Sequence, residues 1–241
     1  FSLMGGGVPR FLVRSTVVDI KGSLLPNDLA NDVTDKTPLA RRWGGWYVTG
    51  RHGNQVHLGN IQVEPTREPV DIEKVRRGNI DTLDGLFNTK PYITNTSDIV
   101  ALLVLEHQLY IKNMITRLNF KARTFAARDL QTHDMSKFSW DAVSPRTQKS
   151  LKLMMEQLVQ SMLFVGATQF TDQITSSSGY DTWFQAKGPR DPKGRSLRDL
   201  DLRTRLFKYP LSYVVYSEGF DHLPAFAREY IYDRFYEVLS G

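Results

Sequence analysis

Residues 97–118 read SDIVALLVLEHQLYIKNMITRL, and this stretch decides the fold class. Val100, Val104, His107, Ile111, Met114 and Leu118 recur at spacings of four and three, which puts them on one face of a helix. A second row, Ile99, Leu103, Glu106 and Tyr110, lies beside the first. Ser97 is the expected N-cap, with Asp98 in the first turn where its charge suits the helix dipole. The helix is expected to run to about Leu130.

Working outward toward the C-terminus, Ser144-Pro145 is a helix start, a capping serine followed by proline at the first helical position. Leu151, Met154, Leu158, Met162 and Val165 form its apolar stripe, and Gly166 stands at its end. Ser176–Gly179 reads as a turn and Gly188–Gly194 (GPRDPKG) as a loop. A third helix follows Asp221–Pro224, with an aromatic-rich body from Phe226 to Leu239. Toward the N-terminus, Phe11–Ile20 (FLVRSTVVDI) is β-branched and reads as a strand. Gly44–Gly59 carries five glycines around a short candidate strand, Trp46–Thr49, and Val70–Gly78 suits one or two helical turns. The expected architecture is mainly α, with about three main helices, and an irregular, glycine-rich N-terminal half containing a little β. The chain reads as one domain over 1–241, with an irregular part over 1–95 and a helical part over 96–241. Phe1–Gly7 has neither the charged start nor the apolar core of a leader, so the chain is expected to be a C-terminal portion of a longer protein.

Composition narrows the function classes. With 241 residues, 41% hydrophobic and 24% charged, the chain has the make-up of a globular protein with a sizeable core. Its longest apolar run, Ile99–Leu105, is far below the roughly 20 residues that a membrane-spanning helix needs. The absence of cysteine excludes disulfides, thiolate zinc sites, a cysteine nucleophile and covalent haem attachment within these residues. The net charge of +5 is matched by one window, Lys187–Lys208, where eight basic residues face three acids. Such a window suggests an anionic partner. No GxGxxG or Walker spacing, GxSxG elbow or RNP-like motif is present, so neither a nucleotide loop, a serine hydrolase nor nucleic-acid binding is expected.

The chemistry-bearing candidates are few. His107 sits in an apolar helix face and must find a hydrogen-bond partner or bind something. Glu106, at the edge of that arc, needs an arginine, a metal or a raised pKa. His52 and His57 flank a glycine-rich turn; their odd spacing separates them on a strand, but a turn can bring them together. His52, His57, Glu106 and His107 are therefore the candidate metal ligands, although no HExxH, HxH or facial-triad spacing supports them. His133-Asp134 lacks the rest of a phosphohydrolase signature.

Several blocks together carry a resemblance. They are VPRFLVRS (8–15), RWGGWYVTGRHG (42–53), HLGN (57–60), SDIVAL (97–102), LEHQ (105–108) and TRLNF (116–120). GPRD (188–191), GRSLRD (194–199), FKYP (207–210) and YSEGFD (216–221), with Leu223-Pro224 beyond, continue it. The chain resembles bacterial cytochrome c domain proteins along nearly its whole length. The resemblance implies an exported, periplasmic or extracellular protein whose relatives carry a CxxCH haem-attachment motif shortly before the VPxxLVRS-like segment. Here only Phe1–Gly7 precede that segment and no cysteine is present, so either a haem c attachment lies before Phe1 or this member has lost it. The resemblance also implies haem-ligand roles for His52, His57 and His107, whereas His222 falls outside the family's expected histidines. Arg190, Arg195 and Arg198 would pair with haem propionates or another carboxylate through bidentate contacts. The expected function is a haem-binding domain, or a partner of a c-type cytochrome, in electron transfer. The alternatives are a metal-dependent enzyme using His52, His57, Glu106 and His107, and a structural or assembly subunit that docks a partner through its basic window.

Overall fold

The periodicity of 97–118 is realised in a helix of 32 residues, Ile99–Leu130. The computed structural model describes residues 8, 10–25, 30–76 and 78–241; the Phe1–Gly7 opening, Pro9, residues 26–29 and Arg77 lie outside the described residues. In chain order the elements are β1 (Arg14–Ser15), β2 (Asn31–Asp32), α1 (Ile72–Val75), α2 (Ile99–Leu130), α3 (Pro145–Met162), α4 (Tyr180–Ala186), α5 (Glu218–Asp221) and α6 (Ala225–Ser240). The fold is mainly α with little β. The chain divides into two compact units, and α2 contributes to both: Ile99–His107 to one, Gln108–Leu130 to the other.

The unit holding Gln108–Val165 and Pro210–Gly241 is helical. Ser144 caps α3 through its hydroxyl, which accepts from the Thr147 backbone N–H, and Pro145 opens the helix. Leu151, Met155, Leu158 and Met162 bury one face of α3, and α6, which packs against α3, buries Ala227, Ile231 and Phe235. Each such leucine or isoleucine contributes about 1.5–3 kcal/mol on burial. Glu156 on α3 accepts from Tyr230 Oη at 2.6 Å and Arg234 Nε at 2.7 Å on α6. The expected stripe ends early. Phe164 (φ 58°) and Gly166 (φ 74°) turn the chain left-handed after Met162, and Val165 is exposed.

The other unit, Leu12–His107 with Gly166–Tyr209, is built mostly from turns and single bridges. The strand expected over Phe11–Ile20 shortens to β1, paired antiparallel with β2. Trp46–Thr49 is not a strand. Instead the Asn60 side chain imitates a neighbouring strand: Val48 N–H donates to its Oδ1 at 2.8 Å and its Nδ2 donates to the Val48 carbonyl at 2.7 Å. Gly50 (φ 120°) lets the chain pass against α2; a Cβ there would lie 2.6 Å from Ile99 Cγ2 and 2.7 Å from the Thr175 carbonyl. Ile99, Val100, Leu102 and Leu103 form a core with Leu39, Trp43, Phe170 and Ile174. Sequence reading missed α4, a short helix entered through Gly179 at φ 76°.

The cap of α2 is Asp98, not Ser97. Its Oδ1 accepts from the backbone of Val100 (2.8 Å) and Ala101 (3.2 Å). Its Oδ2 accepts from Ser176 Oγ (2.6 Å), Ser177 N (2.8 Å), Ser178 N (2.9 Å) and Ser178 Oγ (2.8 Å). Burial opposes ionisation, but the bonds from Ser176, Ser178 and Ala101 outweigh it and hold the carboxyl below its usual range. Asp98→Asn turns an amide N–H₂ toward donors, so a loss of about 3 kcal/mol or more is expected in urea unfolding. Asp98→Asn unfolding at the wild-type midpoint would show that the cluster adds nothing.

Candidate functional site

Glu106 faces inward from α2, and burial would make its charge intolerable without partners. The 3-10 turn Leu39–Arg41 delivers two. Arg42 Nη1 donates to Glu106 Oε2 at 2.6 Å, and Trp43 Nε1 donates to Oε1 at 2.6 Å. Arg42, Trp43 and Glu106 are 3%, 0% and 2% exposed. The remaining guanidinium donors reach the carbonyls of Thr37 (2.8 Å), Thr34 (3.1 Å) and Asp35 (3.2 Å). Trp43 adopts φ 67°, a left-handed conformation costing a bulky residue about 1–3 kcal/mol, and its indole bond to Glu106 helps hold it there. Burial raises Glu106 to about 7, against the pull of Arg42 and the hydrogen bonds from Arg42 and Trp43.

His107, next on the helix, is fully buried and places Nδ1 2.9 Å from Asp35 Oδ2, with its ring 5.2 Å from that of Phe207. The turn around Gly53 brings His52 and His57 together, rings 4.6 Å apart and edge to face. His57 in turn lies edge-on to Trp43 at 5.3 Å. His52 Nδ1 lies 2.6 Å from the Gln55 carbonyl, and His57 Nδ1 accepts from Gly59 N–H at 2.9 Å. Burial, then the neighbouring His52 and Arg76, push His57 down to about 3, and burial lowers His52.

The four candidate ligands therefore fall into separate roles: Glu106 with Arg42 and Trp43, His107 with Asp35, and His52 against His57. Among the described residues no three His, Asp or Glu side chains are placed to hold a metal ion. His52, His57 and His107 are each 3% exposed or less, and none lines the cavity described below. His52 Nε2 carries no hydrogen bond, but all three rings are enclosed by protein and present no face for a haem to approach, so the residues present do not fit that group. Sequence reading missed Asp35, Arg42 and Trp43 as partners; only the need of Glu106 for a cation pointed toward an arginine.

The basic window folds back on itself. Arg195 Nε and Nη2 each lie 2.7 Å from Asp191 Oδ2, and Arg190 Nη1 lies 3.1 Å from Asp199 Oδ1. Arg205 lies 3.8 Å from Asp201, and Arg198 sits over the Phe184 ring at 4.8 Å. Lys187, Lys193, Arg203 and Lys208 are exposed and make no ion pair among the described residues. Elsewhere in this unit Trp46, Tyr47, Phe87 and Tyr92 line an open cavity of about 590 Å³. No family model, curated protein or solved structure matches the chain.

Two outcomes follow from this geometry. Glu106→Gln strands one of two buried donors against an amide and should cost about 3–5 kcal/mol in urea unfolding at pH 8.5, above the value of about 7 at which the carboxyl ionises. An unchanged midpoint would mean that the buried pair contributes nothing. For His57 the folded-state value lies below the unfolded 6.5, so its contribution is present above that pH and is lost as pH falls toward about 3. His57→Asn, whose Oδ1 can replace Nδ1 as acceptor, should flatten the acid limb below pH 6.5 by about 1.4 kcal/mol per pH unit. Equal slopes in wild type and variant would rule the histidine out as its source.

Proposed function

We propose that this chain is a docking domain of an exported, redox-associated protein and that its basic window engages an acidic face of a c-type cytochrome. The observation carrying this reading is the charge pattern of 187–208. Its three acids each hold an arginine, yet Lys187, Lys193, Arg203 and Lys208 stand exposed outside those pairs. Exposed ion pairs are worth about 0–1 kcal/mol each, so fold stability is a weak reason for so many cations. Their use is steering an oppositely charged partner and setting its orientation. The resemblance to bacterial cytochrome c domain proteins supplies the class of partner and the periplasmic or extracellular setting. Docking is favoured over metal-dependent catalysis because Glu106 and His107 are already bonded to Arg42, Trp43 and Asp35.

The test titrates the chain with one acidic and one basic small c-type cytochrome by calorimetry at low and high salt. The acidic cytochrome should bind with a micromolar Kd that weakens with salt, and the basic one should not bind. Lys187→Gln, Lys193→Gln and Lys208→Gln combined should slow association about tenfold with the melting temperature unchanged. Arg190→Gln, Arg195→Gln and Arg198→Gln combined separates anchoring from docking, because Arg190 and Arg195 pair with acids of the window and Arg198 lies over Phe184. Binding that ignores both charge and salt defeats the proposal. A Soret band after addition of free haem would replace partner docking with haem binding.

A further inference from the structure

The cavity beside Trp46 belongs to neither the buried ion pair nor the basic window. Its volume of about 590 Å³ suits a small ligand rather than a single water. Tyr47 and Phe87 lie 4.7 Å apart between ring centroids at 34° to each other, and Phe87 and Tyr92 lie 5.6 Å apart edge to face, so one wall is aromatic with its rings facing different ways. Tyr92 is 63% exposed on that wall, an apolar face held out in water. The opposite chemistry comes from three hydroxyls, Thr94, Thr96 and Ser97. No charged side chain is among the lining residues.

The wall is preformed. Asp84 accepts from Thr89 Oγ1 at 2.6 Å and Asn95 Nδ2 at 2.5 Å, and Leu83 N–H donates to the Asn95 carbonyl at 2.7 Å. These bonds tie the two arms of the loop together before any ligand arrives, which lowers the ordering cost of binding.

The lining selects its ligand. An ionic ligand would lose hydration with no counter-charge to meet it. A wholly apolar ligand would cover the Ser97 hydroxyl and the further bonding capacity of Thr94 and Thr96, whose hydroxyls lie 2.8 Å from each other, without bonding them. A pyranose ring satisfies both walls, because its C–H face lies flat on an aromatic ring while its edge hydroxyls both donate and accept. We propose that this cavity binds a neutral oligosaccharide, with a sugar ring stacked on the exposed face of Tyr92 beside Tyr47 and Phe87 and its edge hydroxyls hydrogen-bonded to Thr94, Thr96 and Ser97. The proposal is independent of cytochrome docking.

The test titrates the chain with cellohexaose, maltohexaose and pentagalacturonate, followed by calorimetry and by tryptophan fluorescence, since Trp46 lines the cavity. One neutral hexasaccharide should bind with a sub-millimolar Kd, and the charged pentasaccharide should not. Tyr92→Ala should weaken binding about tenfold with an unchanged melting temperature, because the side chain is largely exposed. Thr96→Ala, read the same way, tests the hydroxyl wall without touching the aromatic one. Failure of both neutral sugars to saturate at millimolar concentration overturns the proposal. So does equal binding of pentagalacturonate, undiminished binding by Tyr92→Ala, or preference for a decaproline peptide over both neutral sugars.

Discussion

The buried carboxylate of Glu106, held between Arg42 and Trp43, is the constraint on which the turn-rich unit depends. One guanidinium bonds Glu106 and also gathers the carbonyls of Thr34, Asp35 and Thr37, so a single side chain fixes a turn onto a helix. That turn carries Asp35, which holds His107, one residue further along α2. Trp43 meanwhile joins the apolar core and touches His57. A segment with so little regular structure has few ladder bonds to satisfy its backbone, and this polar cluster supplies some of what a sheet would have provided. Half of such a cluster would be worse than none, because each member left alone is a buried polar group without compensation.

The basic window shows a different use of charge. Its acids are spent on local order: Asp191 closes the turn that contains Arg195, and Asp199 and Asp201 bond backbone N–H groups of their own loop. The window's carboxylates thus hold its backbone turns, and its exposed charge lies at lysine and arginine tips. The field of such clustered cations reaches beyond their contacts.

Legibility in the sequence followed distance along the chain. The stripe on α2 and the Ser144-Pro145 start of α3 were readable because helix periodicity and capping are local. The end of α3 was read too late, since Phe164 carries no mark of a left-handed residue. The strand expected over Phe11–Ile20 failed because a strand needs a continuous neighbour, and among the described residues its pairing breaks into β1 against Asn31–Asp32 and a single bridge of Val18 to Leu24. Glu106 announced its need for a partner, but the arginine that meets it stands 64 residues away. The histidine pair was foreseeable only as an alternative, because a turn's geometry decides whether odd spacing separates two side chains or joins them. The aromatic wall drew its rings from Tyr47, Phe87 and Tyr92, and no local pattern links those positions.

The cap of α2 has a consequence for how the chain is made. Asp98 Oδ1 needs only Val100 and Ala101, two and three residues further on, so the first turn of the helix can be capped as soon as it leaves the ribosome. Oδ2 waits for Ser176, Ser177 and Ser178, synthesised nearly eighty residues later. Contacts of such span close late, after the entropy of a long loop has been lost. At about 5–20 residues per second, several seconds of translation separate the two halves of one carboxylate's bonding. During that interval the nascent chain carries a finished helix start and an open acceptor, a half-built joint where chaperones have their opportunity.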